Sequence, residues 1–140
     1  MQAGYPMRIV LRVLAMLTAL IVAVLVMQQI AAESGEVAVV TTVDAVGDAN
    51  TTRLWVVDLD GLQYLRAGMP QSAWYQRLLA TPMVEVRRGD AVGTYRAKPA
   101  LARVPEIDRL MREKYGWADA YIGFLFGRDE SVPIRLEPVP

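Results

Sequence analysis

The sequence contains no cysteine and no histidine. Without thiols there are no disulfides, thiolate nucleophiles, iron–sulfur clusters, covalent c-type haem or lipoprotein anchor. Without imidazoles there is no Ser-His-Asp triad and no His-ligated zinc or haem. An excess of either charge is also missing, because fifteen Lys+Arg balance fifteen Asp+Glu. That balance gives no broad attraction to nucleic acid, so no nucleic-acid partner is expected. Serine is sparse: beyond Ser34 there are only Ser72 and Ser131, neither in a Gly-x-Ser-x-Gly elbow. No Gly-x-Gly-x-x-Gly or Walker pattern occurs. Asp58 and Asp60 flank a turn signal, and Asp129-Glu130 reads as a loop. Neither pair carries the oxygen set of a calcium site. Acid–base chemistry therefore falls to Asp, Glu, Lys, Tyr or Arg, and redox chemistry to a bound cofactor.

Hydrophobic residues are abundant, at 54% of 140, above the usual ~45–50% for soluble domains. The surplus is at the N-terminus. Val13 to Met27 carries no charge, and Ile9 to Met27 is apolar apart from Arg12 and Thr18. A spanning helix needs ~20 mainly apolar residues, and Arg12 can snorkel to the headgroups. Residues 1–32 are thus expected to form a transmembrane anchor and the start of a tether. The alternative is a signal peptide cleaved after Ile30-Ala31-Ala32. Arg8 and Arg12 are the only charges before Glu33. The positive-inside rule then keeps the N-terminus cytoplasmic and exports residues 33–140. Subtracting these two arginines leaves 13 basic and 15 acidic groups, so the exported part is mildly acidic at −2. Gln28 to Gly35 reads as a tether reaching at most about 30 Å.

Short strands follow. Val37–Val43 is β-branched, and Arg53–Asp58 and Leu62–Arg66 form a hairpin around Asp58-Leu59-Asp60-Gly61. Gln71 or Ser72 caps a helix that runs to Ala80. Met83–Arg88 and Ala91–Ala97 flank a Gly89-Asp90 turn. Glu106–Tyr115 is an amphipathic helix. Trp117–Phe126 is a second, more apolar helix, expected to be core, with a surface facing a partner or bilayer as the alternative. Val132–Leu136 closes the chain, with Pro133 at an edge or strand start. Six antiparallel strands and flanking helices predict an α+β domain built on a small barrel.

Thirteen of the fifteen basic residues are arginines, whose planar fork suits phosphate or carboxylate. Arg53 and Arg66 lie near the outer ends of the hairpin strands, which places them at one barrel rim. Arg87 and Arg88 end the next strand, and Arg96 and Lys98 leave the one after it. These are candidates for an anion site only if they converge. Most aromatics read as core, although Trp74-Tyr75 could wall a planar-cofactor pocket.

The run Ala73-Trp74-Tyr75-Gln76-Arg77-Leu78-Leu79-Ala80-Thr81-Pro82, followed by Met83-Val84-Glu85-Val86, carries a resemblance. It is similar to the Ala-Trp-Tyr-x-x-Leu-x-Ala-x-Pro-x-Val segment of the deazaflavin-dependent nitroreductase/quinone reductase family. The resemblance extends over Val37–Ala97 and more loosely to Pro138. It implies a pyridoxamine-phosphate-oxidase-like, flavin-binding split β-barrel, here as a membrane-anchored divergent member. It further implies a homodimer holding FMN or a deazaflavin coenzyme and reducing a quinone or nitro-type acceptor. On that reading Arg53, Arg66, Trp74, Tyr75 and Arg87 are the cofactor-binding candidates, and no catalytic residue is assigned. One loop departs from the family pattern. Where the family carries a basic Gly-Arg-x-Ser-Gly-like loop for the coenzyme phosphate, this chain has Asp44-Ala45-Val46-Gly47-Asp48-Ala49-Asn50. Two acids repel a phosphate and leave Arg53 as the nearby substitute. The competing reading is a non-catalytic, membrane-tethered binding or accessory subunit that has lost the cofactor.

Overall fold

The computed structural model describes residues 7–33 and 35–140. A long helix, α1 (Met7–Ala32), leads into β1 (Val37–Val43), β2 (Ala49–Leu59) and β3 (Leu62–Ala67). Next come α2 (Ala73–Ala80), β4 (Met83–Arg88) and β5 (Ala91–Pro99). A 3₁₀ turn at Leu101–Arg103 precedes α3 (Val104–Tyr115), α4 (Trp117–Phe126) and β6 (Val132–Pro138). The strands close into an antiparallel barrel in the order β1-β2-β3-β6-β5-β4. This is the α+β architecture expected from the sequence, with each strand within a few residues of its predicted bounds.

Period-two alternation builds the interior. In β1, Ala38, Val40 and Thr42 point inward and are fully buried, while Val37, Val39, Thr41 and Val43 face outward. The β2–β3 hairpin turns on Asp60 and Gly61, with φ of 53° and 78°. Two successive positive φ angles match the right-handed strand twist, and Asp-Gly is a preferred pair for them. β2 starts earlier than predicted because Ala49 and Asn50 already pair with Val43 and Thr42. Closure removes every edge, so Pro133 occupies a strand start, between β3 and β5.

The two barrel ends are sealed differently. At the end of β1, α2 packs Trp74, Tyr75 and Leu78 into the core with Leu65, Ile134 and Leu136. Arg77 Nε donates to the buried Thr42 Oγ1 at 2.9 Å. At the other end Arg88 bridges Glu36 at 2.6 Å and Asp58 at 2.7 Å. Lys114 Nζ adds a 2.6 Å contact to Glu36. These cations hold the Glu36 carboxyl down at about 2, against an ordinary 4.5, Arg88 contributing most.

A second, smaller core lies outside the barrel. There α3 sets Ile107, Met111 and Tyr115 onto Val57 and Tyr64, the outward residues of β2 and β3. Tyr115 stacks on Trp55 with ring centres 4.4 Å apart. Its hydroxyl donates to the Glu36 carbonyl at 2.7 Å and accepts from the Val56 N–H at 3.0 Å. Burial raises its pKa, which keeps the phenol neutral. Gly35, at φ +76°, lets the chain pass the Tyr115 ring, where an added Cβ would stand 2.9 Å from the ring carbon.

Two expectations are corrected. The tether does not extend: helix continues through Ala32, Ala31 is fully buried, and the Trp55 indole donates to the Ala32 carbonyl at 3.0 Å. The barrel therefore seats directly on the end of α1. The apolar helix α4 is not core either. It packs against α1, with the Tyr121 hydroxyl donating to the Val24 carbonyl at 3.3 Å, and leaves Trp117, Phe124 and Phe126 exposed. The barrel interior is already filled by strand side chains and α2, so no room remains for it.

Candidate functional site

β2 and β3 place outward-facing residues under α3, α4 and the end of α1, and a groove forms among them. It encloses about 170 Å³ and is lined by Ala32, Arg53, Leu54, Trp55, Arg66, Gly68, Met111, Ile122 and Arg128. Arg53 and Arg66 both line it, from the outer ends of the paired strands β2 and β3. The two arginines differ sharply. Arg53 is exposed (59%) and pairs with Glu33 at 2.6 Å. The Arg66 side chain is 5% exposed, paired with Asp108 at 3.0 Å and in close contact with Asp119. Arg128 reaches the same Asp119 carboxylate at 2.5 Å. Burial, then repulsion from Arg66, lowers the Arg128 pKa. Two guanidiniums and two carboxylates balance in this cluster, so its charge is largely spent internally.

The remaining predicted residues lie elsewhere. Arg87 is exposed on the outer face of β4. It aligns with Arg53 across Val39, which pairs with both. Two strand spacings separate them, about 10 Å. Trp74 and Tyr75 are 8% and 7% exposed, with their rings edge to face at 6.1 Å. They line the barrel core and not the groove. The acidic β1–β2 loop folds on itself: Asp44 accepts from the Val46 and Asp48 N–H groups at 3.1 and 2.9 Å. These bonds lower the Asp44 pKa and keep it ionised.

Asp108, Asp119 and Arg128 were not among the sequence candidates. Asp119 carried a signal: it is the only charge in ten otherwise apolar residues. A charge in such a run needs a buried partner. Which arginine supplies it depends on how α4 packs, and no spacing rule gives that.

No protein-family model matches this chain, and no curated protein does. Solved structures do match. An F420-H2 dependent reductase is 25% identical, with 72% of this chain and 93% of that one covered and a TM-score of 0.58. A FAD-binding protein from Mesorhizobium loti is 14% identical over 83% and 89% of the two chains, TM-score 0.55. A putative pyridoxamine 5′-phosphate oxidase from Listeria innocua is 16% identical over 89% and 94%, TM-score 0.55. The fold is that of these split barrels. Tyr115, stacked on the groove residue Trp55, is already committed to backbone bonds.

Proposed function

We propose that this chain is a membrane-anchored split-barrel oxidoreductase that uses FMN or a deazaflavin coenzyme to reduce a quinone or nitro-type acceptor. The observation that carries the reading is the groove, where Arg53 and Arg66 from one hairpin meet apolar walls on a fold shared with an F420-H2 dependent reductase. A flavin-type group would supply hydride or electron transfer, and the chain's residues would bind and orient it. Arg53 and Arg87, exposed on one outer face, suit its phosphate. Trp74 and Tyr75 could touch it only through the small surface they leave open. A cavity of about 170 Å³ is below the ~300–1,000 Å³ of enclosed ligand sites. Enclosing a tricyclic ring therefore requires a second wall, which a homodimer would provide. The helix α1 is long and apolar enough to cross a membrane. Arg8 and Arg12 orient it with the N-terminus cytoplasmic and the barrel exported. A reporter fused after Pro140 should then be active only outside the cytoplasm, and cytoplasmic activity would reverse the orientation.

One observation favours a second reading, a binding or accessory subunit without a cofactor. The guanidiniums of the groove are engaged by Glu33, Asp108 and Asp119, and the β1–β2 loop is acidic. Titration of the full chain in detergent with FMN and with a deazaflavin coenzyme separates the two. Saturable quenching of cofactor fluorescence, weakened about tenfold by Arg53→Ala, is expected for the enzyme, as loss of one charge-assisted bond. No change with either cofactor leaves the accessory reading.

A further inference from the structure

We infer that α4 is a second membrane contact: an interfacial helix whose exposed face lies in the outer edge of the bilayer beside α1. The inference rests on the reading of α1 as a membrane span. Helix α4 exposes Trp117, Ala120 and Phe124, spaced i, i+3, i+7 along one side, with Phe124 87% exposed. Its one charge, Asp119, is turned inward onto Arg66 and Arg128, so the outer stripe is uncharged. Tyr121, four residues after Trp117 on the same side, hydrogen-bonds the Val24 carbonyl, so the stripe borders α1 directly.

That bond sets the depth. Val24 lies within the apolar run, four residues before Gln28, the first polar residue after it. Four residues rise about 6 Å along a helix axis. If the apolar run spans the hydrocarbon, α4 meets α1 about 6 Å below its upper edge. Interfacial helices bury their apolar face about 5–10 Å at the headgroup boundary. Trp117 and Tyr121 are the residue types that settle at that level. Bilayer lipid is the occupant that this continuity with α1 selects. The groove is lined by Ala32 of α1 and Ile122 of α4, so its mouth would sit at the membrane surface, within reach of lipid-soluble ligands.

The chain has no cysteine, so a single introduced one gives a unique label. Phe124→Cys, Met16→Cys and Asp90→Cys would each carry a nitroxide in the full chain, reconstituted in phosphatidylcholine–phosphatidylglycerol vesicles. Collision rates with oxygen and with a water-soluble nickel chelate report depth. The expected result is Met16→Cys deep, Asp90→Cys aqueous and Phe124→Cys about 5–10 Å below the headgroups. Phe124→Cys as aqueous as Asp90→Cys, with Met16→Cys deep, overturns the inference and leaves the anchor standing. An aqueous Met16→Cys overturns both. Spin–spin broadening at Phe124→Cys that disappears on dilution with unlabelled chain assigns the face to a second copy, which also overturns it.

Discussion

The barrel interior and the layer outside β2–β3 are built from the same strands by different means. Inside, Leu65, Val56, Ile134 and Leu136 belong to one apolar cluster, and their burial is complete. Outside, β2 and β3 present Arg66, Tyr64, Trp55 and Arg53 to α1, α3 and α4. The interior rests mainly on hydrophobicity at the right period, a non-directional requirement, with Thr42 and its Arg77 bond the polar exception. The outer layer depends on named partners, because each buried polar group there must find a hydrogen bond. The contrast also locates the candidate site. The groove lies where helices bridge over strands and leave gaps, and its lining includes none of the fully buried barrel-interior residues.

Two substitutions test whether the regions differ as described. Leu65→Ala removes a fully buried side chain from the interior. It should destabilise the barrel by about 2–5 kcal/mol through lost burial plus the residual cavity. Urea unfolding monitored by tryptophan fluorescence measures it, and a loss below about 1 kcal/mol would mean the interior is loosely packed. Asp119→Ala makes the matching test outside. It leaves Arg128 without its carboxylate partner and Arg66 with Asp108 alone. The cost should be about 3 kcal/mol, the low end for breaking a buried pair, because Asp108 remains. The two effects should also differ in character. Restoring a polar partner with Asp119→Asn should recover part of the loss, whereas no polar residue at 65 should recover any.

What could be read from the sequence divides along the same line. β-Branching in Val37–Val43, the Asp60-Gly61 turn and alternation in Met83–Arg88 point to the strands and hairpins, since these are local properties of consecutive residues. That Arg53 and Arg66 share one rim followed from hairpin geometry alone. The rest of the site did not, because it joins residues far apart: Arg66 and Asp119 are 53 positions from each other. Nor did the seating of the barrel on α1, which depends on Trp55 reaching Ala32. The apolar character of α4 was plain. Its outward orientation was not, because a hydrophobic helix reads the same whether it faces a core or a bilayer.

Tyr115 joins the two regions, and its hydroxyl should matter less than either substitution above. Tyr115→Phe keeps the stack on Trp55 but strands the Val56 N–H and the Glu36 carbonyl. Unsatisfied buried groups cost about 1–3 kcal/mol. An effect at the lower end is expected, with Lys114 still bonded to the Val56 carbonyl at 2.7 Å. No change in unfolding midpoint would show that water replaces the phenol there.

The smallest effect belongs to the ionic seal at Glu36, and pH separates it from packing. The Glu36 carboxyl sits at about 2 in the fold, against an ordinary 4.5. A depressed carboxylate adds stability that is complete above its unfolded value. That stability is lost as pH falls toward the folded one. The window therefore runs from about 4.5 down to 2. Asp58, also lowered by Arg88, titrates in the same direction. Glu36 is 39% exposed, so solvent screening limits its share at neutral pH to about 1 kcal/mol or less. Glu36→Gln should lower stability by that small amount at pH 7, and the gap between variant and parent should close as pH drops through the window. Leu65→Ala should instead keep a constant gap over the same range, because burial of a methyl group does not titrate. A Glu36→Gln gap that persists at pH 2 would mean that the residue acts through packing, and that the seal at this barrel end is not ionic.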